Sequence, residues 1–167
     1  MATRIAPRKD TSDEGTKPPS FADVQRELTK ALGKPKKSGA ILHYKAPKST
    51  KQLNELVDRV HAAGGAASLA AAYPARQLCV VNGSPSLLMD LVTWVSWQMK
   101  SGRKALDMLH ADAGVRVSNI EYTDFIITLE RVPKDPAAHA KRLAKIVMQG
   151  DAKKIEAALK KRRWKTM

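Results

Sequence analysis

Residues 115–132 read VRVSNIEYTDFIITLERV, and this stretch separates an α+β fold from an all-helical one. Val, Ile, Thr, Tyr and Phe dominate it, side chains that suit a half-buried pleated surface. Phe125, Ile127 and Leu129 alternate and share one face, whereas Ile120 and Tyr122 fall on the opposite parity. A buried face changes parity only through an extra residue or a reversal, so a bulge or turn is expected near Thr123-Asp124.

Upstream, residues 87–99 (LLMDLVTWVSWQM) follow Ser84-Pro85, which has helix-start chemistry. Apolar positions cover most of the helical circumference, predicting one helix central to the core or to a subunit contact, with Trp94 and Trp97 as an aromatic ridge. Ser101-Gly102 separates it from a second helix over residues 103–111. Residues 78–81 (LCVV) predict a buried strand running into the turn signal Asn82-Gly83. Residues 66–72 are alanine-rich and fit either a helical turn or a tightly packed segment ended by Pro74.

Leu53, Leu56, Val57 and Val60 repeat at helical spacing after a Ser49/Gln52 cap and stop before Gly64-Gly65. Residues 40–45 (AILHYK) predict a short strand, preceded by a basic linker over residues 34–39. Ser20 opens a helix whose stripe runs through Phe21, Val24, Leu28, Ala31 and Leu32 to Gly33. At the other end, Asp135-Pro136 caps a helix over residues 137–149. Asp151 caps a last helix ending in KKRRWKTM.

At 167 residues the chain is one domain's worth. The fold expected is α+β: a helix-rich single domain with a small sheet and basic N- and C-terminal extensions. Residues 1–19 read as an extended polar arm, residues 20–133 as the body, and residues 134–167 as basic C-terminal helices.

Charge is distributed as unevenly as hydropathy. The net charge is +14 with a pI near 10.1, a field attractive to polyanions. Residues 1–52 hold twelve Lys/Arg against five Asp/Glu, residues 53–133 hold seven against eight, and residues 134–167 hold eleven against three. The reading is a neutral centre with two cationic ends, and such ends are commonly interaction segments.

Two clusters of candidate contacts follow. One is Lys34, Lys36, Lys37, Lys45, Lys48 and Lys51 around the first strand. The other is Lys141, Arg142, Lys145, Lys153 and Lys154, continued by Lys160, Lys161, Arg162, Arg163 and Lys165 around Trp164. Clustered cations neutralise phosphates and release counterions, while an indole can stack on a base. Lysine acts as a point charge and does not read bases bidentately, so backbone contact independent of sequence is expected.

Catalytic signals are sparse. Asp107 and His110, and Asp58 and His61, stand at i, i+3, a spacing that helix surfaces also supply by chance. Residues 83–86 (GSPS) lack the second glycine of a nucleophile elbow and the Gly-Lys-Ser/Thr of a phosphate loop. His43, His61, His110 and His139 show no metal-ligand spacing, so neither a metal nor another cofactor is expected. The single cysteine, Cys79, excludes an intramolecular disulfide framework and reads as core.

No apolar stretch reaches the roughly 20 residues of a membrane span, and the N-terminal residues lack a signal-peptide core. Asp10, Asp13 and Glu14 disfavour a mitochondrial presequence. A cytoplasmic, virion or ribonucleoprotein location is expected.

These readings favour a non-enzymatic structural protein that binds nucleic acid, RNA ahead of DNA, inside an assembly such as a ribosome-like ribonucleoprotein or a viral nucleocapsid. Neighbouring proteins or further copies would pack on the body. An adaptor for acidic protein or anionic lipid is the alternative, and a DNA-binding regulator or small enzyme is the third.

Overall fold

The computed structural model describes residues 17–71, 75–148 and 150–166. The chain folds as one α+β domain around a seven-stranded mixed sheet, with elements in the order α1 (Phe21–Leu32), β1 (Lys36–Ser38), β2 (Ile41–Lys45), α2 (Thr50–Ala62), β3 (Ala66–Ala70), β4 (Gln77–Val81), a 3-10 helix (Pro85–Leu91), α3 (Val95–Gln98), α4 (Lys100–Ala113), β5 (Val115–Glu121), β6 (Asp124–Leu129), α5 (Pro136–Ala144), α6 (Ala152–Lys160) and β7 (Arg163–Lys165). Strand order is β1-β2-β4-β3-β5-β6-β7. All neighbours are antiparallel except β3 and β5, joined in parallel.

Several local rules act as the sequence implies. The Ser20 and Ser49 hydroxyls accept the Asp23 and Gln52 amides at 3.1 and 3.2 Å, and Asp135 and Asp151 cap α5 and α6 in the same way. The parity conflict within residues 115–132 is settled twice. A register shift between Ser118 and Glu121 leaves Asn119 at φ 50°, and the chain reverses at Tyr122, φ 48°.

Other expectations are corrected. Residues 87–99 are not one helix: the 3-10 helix ends at Leu91, Val92 is extended, and α3 spans only four residues. Leu88, Met89, Val92 and Trp97 are buried against the sheet at irregular spacing while Asp90, Thr93, Val95 and Met99 stay exposed, so the segment follows the sheet surface in short turns. Gly102 is no breaker; it lies in the first turn of α4, where a Cβ would collide with the Ser96 carbonyl oxygen. Residues 66–70 form strand β3, with alanines letting helices approach both faces. The supposed linker contains β1, and the basic C-terminal run contains β7.

The sheet is therefore larger than expected, and the C-terminal residues are no free extension. Ala140, Leu143, Ile146, Val147, Ile155, Leu159 and Trp164 share a core with Ile41, Cys79, Val117 and Phe125. Residues 1–16 of the expected arm, together with Ala72, Pro74 and Gln149, lie outside the described residues.

Two cores lie on opposite faces. The larger gathers the 3-10 helix, α3, α4, α5 and α6 under strands β2 to β7. The smaller holds Val24, Leu28, Tyr44, Val60, Ala67, Leu78 and Val80, so α1 and α2 cover only β2, β4 and β3 on the other side. On that second face β5, β6 and β7 carry Arg116, Ser118, Ile126, Thr128, Arg163 and Lys165, all at least partly exposed. Among the described residues, no helix is long and apolar enough to cross a membrane.

Candidate nucleic-acid interface

The N-terminal lysines gather at one edge of the sheet. Lys36 and Lys37 lie on β1, paired with His43 and Leu42 of β2, and Lys45 ends β2. Lys34, Lys36, Lys45, His43, Arg76 and Gln77 line a recess of about 230 Å³ there, while Lys48 and Lys45 border another beside Gln52. Lys34, Lys36, Lys37, Lys45, Lys48 and Lys51 are exposed, and none forms an ion pair with a described residue.

The C-terminal cluster is divided between the opposite edge and the helices: Lys141 and Arg142 lie on α5, and Lys153, Lys154 and Lys160 on α6. Arg163 and Lys165 lie on β7, six strand spacings from β1, or about 29 Å at roughly 4.8 Å each. The two clusters do not merge into one strip. Lys141, Lys145, Lys153, Lys154 and Lys161 are exposed and make no ion pair with a described residue. Lys160 reaches Glu156 at 3.0 Å, Lys165 stands 4.0 Å from Asp124, and the Arg162 guanidinium donates to the Glu130 carbonyl oxygen at 3.0 Å. Arg142 and Lys145 meet Lys104, which the sequence reading omitted, at a groove of about 470 Å³ between α4 and α5.

Trp164 does not offer its indole for stacking. It is buried, its ring centre 6.4 Å from that of Trp97, which packs edge-on against Phe125 at 5.0 Å. The aromatic ridge is absent too, because Trp94 turns away from Trp97 and its indole N–H donates to the Ile146 carbonyl oxygen at 2.6 Å. Both tryptophans are apolar surface that the fold itself consumes.

Arginine behaves differently from lysine. Arg26, Arg59, Arg76, Arg103 and Arg116 each bind a carboxylate, of Asp23, Glu27, Glu121, Asp90 and Asp58 respectively. The planar guanidinium favours such pairing. The Arg59 hydrogen bond holds the Glu27 carboxyl below its ordinary range. Internal pairing thus takes up arginines of the body and leaves most of the terminal lysines unmatched.

In neither Asp/His spacing does the carboxylate bond the imidazole. Asp107 accepts a hydrogen bond from the Ser84 hydroxyl, and His110 Nδ1 accepts the Val115 amide at 2.9 Å. Asp58 holds Arg116 at 2.6 Å. His61 faces a groove of about 300 Å³ between α2 and β5, its Nε2 buried without a hydrogen-bond partner among the described residues, and burial followed by the nearby Arg116 lowers its pKa to about 4.

The histidine that does meet a carboxylate is His139, invisible as a pair because 27 residues separate it from its partner. Arg142 donates to His139 Nδ1 at 3.1 Å, leaving Nε2 to donate to Asp112 at 2.9 Å. That bond lowers the Asp112 carboxyl's pKa against the opposing effect of burial, and ties the end of α4 to α5. Cys79 lies 3.5 Å from His43 Nδ1, but burial pushes its thiol up to about 11, away from the thiolate a nucleophile needs. Among the described residues no three of His, Cys, Asp and Glu come together as a metal site.

Comparison with protein-family models, curated proteins and solved structures finds no significant match for this chain.

Proposed function

We propose that the protein is a non-enzymatic, nucleic-acid-binding structural protein, RNA ahead of DNA, that grips phosphate backbones through lysines at the β1 edge of its sheet and on its C-terminal helices. The observation that carries this reading is the division of cations. Arginines of the body find carboxylates, whereas the six lysines around β1 and β2 and five more on or after α5 find none among the described residues. Unmatched ammonium groups keep a positive surface available to a polyanion. Lysines on edge strands also deter edge-to-edge pairing. That role needs one or two charges on β1 and does not account for Lys48, Lys51, Lys141, Lys153 or Lys154.

With cations about 29 Å apart across the sheet, one molecule would contact two segments of nucleic acid, which suits packaging inside an assembly better than a single specific site. Val95, Met99 and Met148 are exposed apolar side chains, and the bond from Trp94 to Ile146 sets the α3 segment beside Met148. A neighbouring protein or second copy would cover them. Cytoplasmic, virion and ribonucleoprotein locations all accord with this role.

Isolation at low salt tests the proposal: copurifying RNA should raise the ratio of absorbance at 260 to 280 nm. Reversing Lys34, Lys36 and Lys37 to Glu should weaken binding to unrelated oligonucleotides by similar factors. A preparation free of nucleic acid that captures acidic protein or anionic vesicles would favour the adaptor reading.

A further inference from the structure

The groove between α2 and β5 has features that backbone contact alone does not use. Its His61 Nε2 is a buried polar atom with no hydrogen-bond partner among the described residues. Such an atom costs stability unless something satisfies it. On the opposite wall Asn119 is held at φ 50° by the β5 bulge, a conformation uncommon outside glycine. Leu53, Val57 and Leu69 supply apolar surface and Asn54 adds an amide; among the described residues no carboxylate lines the groove, and Asp58 stands beside it, paired with Arg116.

From its mouth a row of cross-strand neighbours leads over β5, β6 and β7, from Arg116, which Asp58 of α2 holds at 2.6 Å, through Thr128 to Arg163, which has no carboxylate partner among the described residues. Resting on the reading that the molecule binds RNA, the geometry points to this groove as a pocket for one unpaired base, with the adjoining backbone led across the Arg116–Thr128–Arg163 row.

The groove's volume of about 300 Å³ lies at the small end of ligand sites, suited to one heterocycle. Its imidazole stays uncharged at neutral pH, so it serves hydrogen bonding to a base edge better than attraction to phosphate. Side-chain amides match base edges, and apolar walls match ring faces. A base sequestered in a duplex could not enter, so a single strand is the ligand.

The test compares a labelled single-stranded RNA oligonucleotide with inorganic polyphosphate, by fluorescence anisotropy and competition. The variants are His61→Leu and Asn119→Gly, the second because glycine adopts the left-handed conformation without strain. Each should bind the oligonucleotide about tenfold more weakly, the scale of one lost base contact, while polyphosphate affinity is unchanged. The melting temperature of His61→Leu should not fall, since leucine leaves no orphaned nitrogen. Asn54→Ala, on the α2 surface, should act in the same direction and serves if the leucine variant fails to fold.

Unchanged oligonucleotide affinity beside intact polyphosphate binding would overturn the base pocket and leave the backbone reading standing. A wild-type protein that binds neither probe would overturn both.

Discussion

The two halves of the sheet share one core but not one fate. The half made of β2, β4 and β3 is closed on both faces, and its residues alternate between two apolar cores: Leu78 and Val80 face one way, Cys79 and Val81 the other. The half made of β5, β6 and β7 is closed on one face only, so Val117, Phe125, Ile127 and Trp164 alternate with Arg116, Ser118, Ile126, Thr128, Arg163 and Lys165. A continuous apolar run marks a strand with nothing to offer solvent. Alternation marks a face that can do something else.

The largest effect that would sharpen this contrast lies on the closed side of the open half. Trp97→Ala removes the ring that joins Phe125 to Trp164 and should cost about 3–5 kcal/mol, measured by denaturant unfolding. Gly102→Ala forces α3 and α4 apart and should cost about 1–3 kcal/mol. Asp112→Asn weakens the tie to His139 and should cost about 1–2 kcal/mol. A loss near zero for Trp97→Ala would show that β7 and α3 are not held by the aromatic contact.

Acid provides a gentler probe of the boundary between the halves, where His61 sits. Its folded-state pKa, about 4, lies below the ordinary 6.5, so the unfolded chain binds more protons between those values. Stability from this group is therefore complete above about pH 6.5 and declines as pH falls towards 4. The melting temperature of His61→Leu should depend less steeply on pH over that window. Smallest of all, Thr128→Ala on the open face should change stability by less than about 0.5 kcal/mol, because it packs against no core.

How much of this was legible in the sequence depended on whether the governing signal was local. The caps at Ser20, Ser49, Asp135 and Asp151 and the parity switch within residues 115–132 involve neighbours in the chain, and each was readable. The segment 87–99 was misread because apolar residues in quick succession serve a continuous helix and a chain pressed onto a sheet equally well. Strands β1 and β7 were missed because three residues of mostly charged sequence carry no apolar period.

The site divided along the same line. Clustered lysines are visible in sequence, and they remain exposed. That Trp164 is buried, that Lys104 joins Arg142, and that His139 finds Asp112 depend on contacts between distant segments. The row formed by Arg116, Thr128 and Arg163 exists only because β5, β6 and β7 pair in that register.

The central claim is that terminal lysines left without carboxylates neutralise phosphate. Its most direct measurement is the affinity of the intact chain for a labelled single-stranded RNA between 50 and 200 mM KCl. With about four to six phosphates neutralised, the logarithm of the association constant should fall linearly against log salt with a slope of about −3 to −4. Binding that is absent, or that holds the same affinity across the series, would contradict the account.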